Sequence, residues 1–223
     1  GGSAGDFVGN QVYSNPTGIY LSSGSSSLIS NLIYENTNIG VYITSGASEK
    51  ELLNNTIYQS VGTAVQVVGS ATNVHLYNNI LWSDIGSILN IAASAQSGFR
   101  SDYNLFYRGE SDAATIGLWG TTIMTDLAAW QTASLQDGNS LVDDPRFLDI
   151  NGADNILAYK NVPQGDGSDD NFSLAANSPA IDRASAYHSA LTDALGRNRQ
   201  DDPSTANSGI GWDLFVEQDE GAQ

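Results

Sequence analysis

Five times in the first half of the sequence an Asn is followed three residues later by a large aromatic: Asn10 and Tyr13, Asn31 and Tyr34, Asn55 and Tyr58, Asn79 and Trp82, Asn104 and Tyr107. The Asn positions are separated by 21, 24, 24 and 25 residues, a period that holds one supersecondary unit. Self-similarity at this length marks a solenoid, in which each unit buries its apolar face only by stacking on the next.

The pattern within each unit identifies the element. After each Asn the residues alternate, placing Val12, Ile33, Ile57, Leu81 and Phe106 on one face, and a period of two is that of a strand. A second β-rich run follows at Gly18–Leu21, Gly40–Ile43, Ala64–Val67 and Ile88–Ile91, and a third, weaker run precedes the next Asn at Leu28–Ile29, Leu52–Leu53 and Val74–Leu76. Three short strands per turn, separated by Gly, Ser and Asn, predict a coil whose equivalent strands stack in parallel about 4.8 Å apart.

With its turn length, three strand runs and recurring Asn, the stretch from residue 8 to 107 resembles the right-handed parallel β-helix proteins of the pectate-lyase-like kind. The resemblance implies an all-β fold, a right-handed parallel β-helix solenoid of about four to five coils with a loop-rich C-terminal appendage containing a short helix. It also implies that Asn10, Asn31, Asn55, Asn79 and Asn104 form an internal amide ladder. An amide has both donors and an acceptor, so a column of Asn can pair from rung to rung. The last hundred residues resemble the segment that closes many bacterial secreted β-helix proteins. That likeness rests on Leu127–Trp130, Asp137–Phe147, Asn171–Leu174, Asn177–Asp182, Asp193–Arg197 and Gln218–Ala222. Coils are therefore expected over residues 1–115 and a capping appendage, packed on the solenoid, over residues 116–223.

A length of 223 residues with 40% hydrophobic content suffices for one continuous core. There is no cysteine, and hence no disulfide framework or thiolate metal site. No apolar run approaches the roughly 18 residues of a membrane helix, and no signal peptide or initiator Met opens the sequence. The opening Gly-Gly-Ser-Ala-Gly offers no polar cap to a solenoid end. The expectation is the C-terminal piece of a longer β-helix, with earlier rungs preceding Gly1 or supplied by another chain. A net charge of −17 repels phosphate backbones and anionic lipid, which excludes nucleic acid as a partner. It also repels acidic polysaccharide unless a divalent cation bridges the two.

Two groups of residues stand out as sites. In the acidic appendage, Asp149, Asn151 and Asp154 alternate around Gly152, and Asp166, Asp169 and Asp170 follow. Oxygen donors at that spacing suit calcium, although Lys160 stands where an EF-hand loop has its distal Glu. Asx and Gly are also what ordinary turns require. The second group is the aromatic column of Tyr13, Tyr34, Tyr58, Trp82 and Tyr107, which points outward if its neighbours point inward. Such a stripe suits sugar rings or an apolar partner. It is also expected to be covered by the apolar residues of the appendage, Leu118, Trp119, Ile123, Leu127, Trp130, Leu135 and Phe147, with a short helix capped by Asp126 doing the covering.

A glycosidase requires two facing carboxylates about 5 to 10 Å apart. The positions after each aromatic, from Ser14 and Asn15 to Arg108 and Gly109, offer no acidic pair, and Glu35 reads as a solvated side chain and Asp84 as a turn cap. The bases a lyase would use are Lys50, His75, Arg100, Arg108, Tyr20 and Tyr42, with Lys50 and His75 expected on neighbouring rungs. The reading favoured by these absences is a noncatalytic C-terminal β-helix module of a large secreted or cell-surface protein. It would serve scaffolding, adhesion or glycan contact, with a polysaccharide, a cell-surface component or further rungs as partner. The alternative is part of a polysaccharide lyase or glycoside hydrolase acting on extracellular polysaccharide.

Overall fold

A computed structural model of the protein describes residues 5–46, 48–109, 113–160, 165–199 and 203–204. The expected closing motif at 218–222 lies outside the described residues, as does the opening 1–4. The strand runs read from the sequence form three parallel sheets. The first stacks β1 (Gly5–Val8), β4 (Ser26–Ile29), β7 (Lys50–Leu53), β10 (Val74–Tyr77) and β13 (Arg100–Asp102). The second stacks β2 (Gln11–Tyr13), β5 (Leu32–Tyr34), β8 (Thr56–Gln59), β11 (Ile80–Ser83), β14 (Leu105–Tyr107) and β17 (Leu141–Val142). The third stacks β3 (Thr17–Leu21), β6 (Ile39–Ile43), β9 (Gly62–Val67), β12 (Gly86–Ile91) and β15 (Thr115–Trp119), and β16 (Thr122–Met124) closes it antiparallel. Every third strand pairs in parallel with its equivalent, which makes a right-handed solenoid of about five turns. The boundary expected at residue 115 falls at the start of β15, and β17 extends the second sheet well into the appendage.

Identical residue types align because the register does not slip. Val12, Ile33, Ile57, Leu81 and Phe106 are consecutive partners in the second sheet. Leu28, Leu52 and Leu76 align in the first, and Ile19, Val41, Val65 and Leu89 in the third. These columns meet in one interior cluster, where each fully buried aliphatic contributes about 1.5–3 kcal/mol. The corners are equally periodic. The residue before each ladder Asn is left-handed, with φ of 64° at Gly9, 53° at Ser30, 55° at Asn54, 59° at Asn78 and 56° at Tyr103. Asn and Gly adopt this conformation readily, and it turns the chain from the first sheet into the second.

The Asn column is internal from Asn31 to Asn104, with Asn10 exposed at its start, and is hydrogen-bonded from rung to rung. The Oδ1 of Asn31, Asn55, Asn79 and Asn104 accepts from both the backbone N–H and the Nδ2 of the Asn one rung earlier, at 2.9–3.0 Å. Nδ2 also donates across the turn to a carbonyl of the previous rung, as Asn55 does to Leu28 and Asn79 to Leu52, both at 2.8 Å. The ladder ends on Ser140 and Asp137, which belong to the closing-segment likeness but had no role assigned from sequence. The Asn104 N–H donates to Ser140 Oγ at 2.9 Å and its Nδ2 to Asp137 Oδ1 at 3.1 Å. Asp137 Oδ1 also accepts from Ser101 and Ser140, and its Oδ2 from Trp130 Nε1 at 2.7 Å. Burial pushes this carboxyl above the usual range, against the four side-chain donors that favour its charge.

The helix α1 (Leu127–Ser134) begins where Asp126 Oδ1 accepts the Ala129 N–H at 2.9 Å, which is the expected cap. Its place differs from the expectation. It packs on β15 and β16, and Trp130 plugs the C-terminal end of the interior cluster, edge-on to Trp119 at 5.6 Å. It does not cover the aromatic column.

Candidate functional site

The cover over the aromatic column comes from further along the chain. Phe147 of β18 (Phe147–Asp149), Phe172 of β19 (Asn171–Leu174), Ile150, Leu157 and Ala158 pack with Tyr13, Leu32, Tyr34, Tyr58 and Trp82. Phe172 sits 4.9 Å from the Tyr34 ring and 6.4 Å from that of Tyr58, and Phe147 stacks over Trp82 at 6.2 Å. The polar ends are matched too: Tyr13 donates to the Asp166 carbonyl at 2.7 Å, Tyr34 to that of Gly167 at 3.3 Å, and Tyr58 to Asp84 Oδ2 at 2.8 Å. Burial first, and then Asp170 beside Tyr34 and Asp84 beside Tyr58, raise both phenols well above the ordinary tyrosine value. Tyr34 and Tyr58 are buried, so they do not offer a glycan surface, while Tyr13, Trp82 and Tyr107 remain half-buried. Of the covering residues anticipated from sequence, Phe147 alone is found over this column.

The structure also refines three smaller expectations. Glu35 is not a solvated side chain: its Oε1 accepts the Ser60 N–H at 3.1 Å and its Oε2 lies 3.7 Å from Lys160 Nζ. Asp84 takes the Tyr58 hydroxyl and the Trp82 indole N–H, the latter at 2.6 Å, and so ties two neighbouring rungs of the aromatic column together. Lys50 and His75 lie on the neighbouring rungs β7 and β10 as expected, but they do not share a face. Lys50 aligns with Ser26 and Val74 and is fully buried, its Nζ donating to the Ser48 carbonyl at 3.2 Å, and burial lowers its pKa. His75 aligns with Glu51 on the outer face of the same sheet.

The acids of the appendage spend oxygens on backbone N–H groups, Asp154 and Asp166 within their own turns and Asp169 and Asp170 across to the segment 154–158. Asp154 Oδ1 accepts the Ile156 N–H at 2.7 Å, Asp166 that of Ser168 at 3.0 Å, Asp169 that of Asp154 at 2.9 Å and Asp170 that of Ala158 at 2.7 Å. Asp149 lies in β18, opposite Asn171. Asp154, Asp166 and Asp169 line one shallow depression, together with Ala153 and Ser168, whereas Asn151 is exposed beside it. Among the described residues, no three of these carboxylates converge as metal ligands.

Two outer faces remain open. On the third sheet Tyr20 and Tyr42 are register partners with rings 5.5 Å apart, Tyr20 being 60% exposed, and the row continues through Gln66 and Asn90. On the first sheet the outward row is Asp6, Ser27, Glu51, His75 and Arg100. Beside it Tyr77 stacks face to face with His188 at 3.7 Å. Here the second closing segment runs back along the corners: Ser185 and Ala190 donate their N–H groups to Asn78 and Asn54 at 2.7 and 2.8 Å, and Ser30 Oγ donates to the Thr192 carbonyl at 2.9 Å. The corner Asn thus serve both the turn and the strap.

Residues 1–81 match a family model described as right handed beta helix region. The chain carries a right-handed β-helix. Comparison with curated proteins and with solved structures gave no match. Two acids that the sequence reading did not single out, Glu49 and Glu51, lie with His75 on the outer face of the first sheet. Their signal was Glu49-Lys50-Glu51, where strand alternation sends Lys50 inward and both acids outward.

Proposed function

We propose that the chain is the noncatalytic closing module of a longer β-helix, part of a secreted or cell-surface protein, with glycan contact along its third sheet. The polarity of the Asn ladder carries this reading. Each Oδ1 accepts from the rung before it, and the C-terminal end is closed by Ser140 and Asp137. At the other end Asn10 Oδ1 accepts from no described residue, and β1, β2 and β3 each form a sheet edge. A further rung with an Asn in the same column would satisfy that acceptor and pair the three edges. The stacked Tyr20 and Tyr42, followed by Gln66 and Asn90, supply an aromatic platform with amide donors, the combination that binds sugar rings.

The test has two arms. A coil copied from residues 31–54 and joined ahead of Asn10 is expected to raise the unfolding midpoint, since rungs contribute nearest-neighbour terms. An unchanged or lowered midpoint would remove the extension reading. For the glycan arm, oligosaccharides are titrated against protein fluorescence, and Tyr20→Ala with Tyr42→Ala is expected to abolish the response. Release of unsaturated products from pectate or alginate would instead establish the polysaccharide-lyase alternative. Calcium is proposed only at the depression that Asp154, Asp166 and Asp169 line together, where one oxygen of each accepts a backbone N–H. Calcium at about a hundred times its dissociation constant would add about 2.7 kcal/mol, and equal melting midpoints in calcium and in chelator would dismiss it.

A further inference from the structure

We propose that Glu49, Glu51 and His75 form a binding site for a zinc-class divalent ion on the outer face of the first sheet. Among the described residues this is the one place where three His or carboxylate ligand atoms lie within 4.8 Å of one another. Zinc–nitrogen and zinc–oxygen bonds of about 2.0–2.2 Å at tetrahedral angles hold ligand atoms about 3.4 Å apart, so the cluster needs only a small contraction to enclose an ion.

The positions are set by the fold. His75 and Glu51 are register partners on the adjacent strands β10 and β7, and Glu49 lies two residues before Glu51 on the same side. His75 Nδ1 stands 3.0 Å from Glu49 Oε1. The Glu51 carboxylate has no hydrogen-bond or ion-pair partner among the described residues, yet it stands beside a second carboxylate. Two like charges fixed around one imidazole repel each other until a cation joins them. An ion pair of Glu49 with His75 alone leaves Glu51 without a role.

The donor set selects the metal. Calcium and magnesium take oxygen ligands, whereas one imidazole with two carboxylates is a set used by zinc and its first-row neighbours. Glu49 is exposed, which leaves a path for the ion and a coordination position for water. Both histidines of the protein lie on this face: His188 stacks on Tyr77, which is 6.4 Å from the His75 ring. Arg100 follows His75 in the same row and opposes a cation, while Glu51 and Asp102 offset it around Tyr77.

The experiment uses the tag-free chain, titrated calorimetrically with zinc and followed with cobalt(II) by visible absorbance. Expected are one equivalent bound and intensified cobalt bands. His75→Ala and Glu51→Gln should each weaken binding by more than about tenfold, at least the cost of losing an outer-shell partner. Arg100→Gln should tighten it. Unchanged metal-free melting midpoints confirm that the variants fold. No heat and a cobalt spectrum identical to that of the free ion would overturn the site. So would binding that survives both ligand variants, or zinc displaced by excess calcium, because either outcome places the ion elsewhere. The inference is independent of the module's extension and of its glycan contact.

Discussion

At the scale of single residues the interior is specified by hydrogen-bond supply. A buried Asn in this column has partners on three sides, and Asn55 shows the arrangement: it accepts from Asn31 and donates to Asn79 and Leu28. Asn55→Leu keeps the branch at Cγ but strands donors and an acceptor in the core. A loss of about 1–3 kcal/mol in a urea melt is expected. Asp137 is the sharper case, because all four of its side-chain partners donate. Asp137→Asn would turn an amide N–H toward one of those donors, the Trp130 indole or the Ser101, Asn104 and Ser140 group, and cost about the same. It also alters the pH profile. A carboxyl whose folded pKa is raised by burial contributes stability that is present below its unfolded pKa and is lost as pH rises through the folded one. The parent's stability relative to Asp137→Asn should therefore increase as the solution is acidified from neutrality toward about pH 4, the ordinary Asp value. A difference that is flat with pH would contradict the raised value.

At the scale of elements, the strands were legible because alternation, period and turn residues agree in every rung. The Asn ladder was legible for the same reason, repeated five times. What covers each face was not. Phe172 lies far along the chain from Tyr34 and Tyr58, with no periodicity linking it to them, and the helix that looked suited to the task plugs the coil end through Trp130 instead. Asp137 stood in the closing-segment likeness, but its role at the ladder's end was not legible because it belongs to a Gly- and Asn-rich turn, where Asp is ordinary. The aromatic column gives a direct test of its cover. Phe172→Ala opens a cavity over Tyr34 and Tyr58 and should cost about 3–5 kcal/mol. Its optical consequence follows from the raised phenols. That stability is present below the unfolded tyrosine value of about 10 and is lost as alkali exceeds it. In the parent, tyrosinate absorbance from these two rings should appear only on unfolding, and in Phe172→Ala it should appear before the backbone melts. Identical alkaline titrations would mean that Phe172 is not the shield.

At the scale of the whole molecule, a solenoid is a stack in which each rung is stabilised only by its neighbours, so its ends decide where it opens. The two ends of this stack are unequal. At the C-terminal end the ladder closes on Asp137, the interior on Trp130, and the third sheet on the antiparallel β16. At the other end β1 is exposed along its length, Phe7 and Val8 are uncovered, and Asn10 has an acceptor to spare. The appendage reaches the first rung through Tyr13 with Asp166 and Ser14 with Tyr159, so the weakness of that rung lies in its sheet edges, which no described strand pairs. Local opening should therefore begin at β1–β3 and proceed rung by rung. Native-state hydrogen exchange is expected to give graded opening energies along the coil, lowest for Gln11–Tyr13 and rising to the global value near Ile80–Ser83 and Gly86–Ile91. Adding a coil ahead of Asn10 should move the weakest rung outward and bring Gln11–Tyr13 up to the protection now held by Leu32–Tyr34. If all rungs instead exchanged with one common energy, the coil and its appendage would open as a single unit. The asymmetry of the ends would then have no energetic weight.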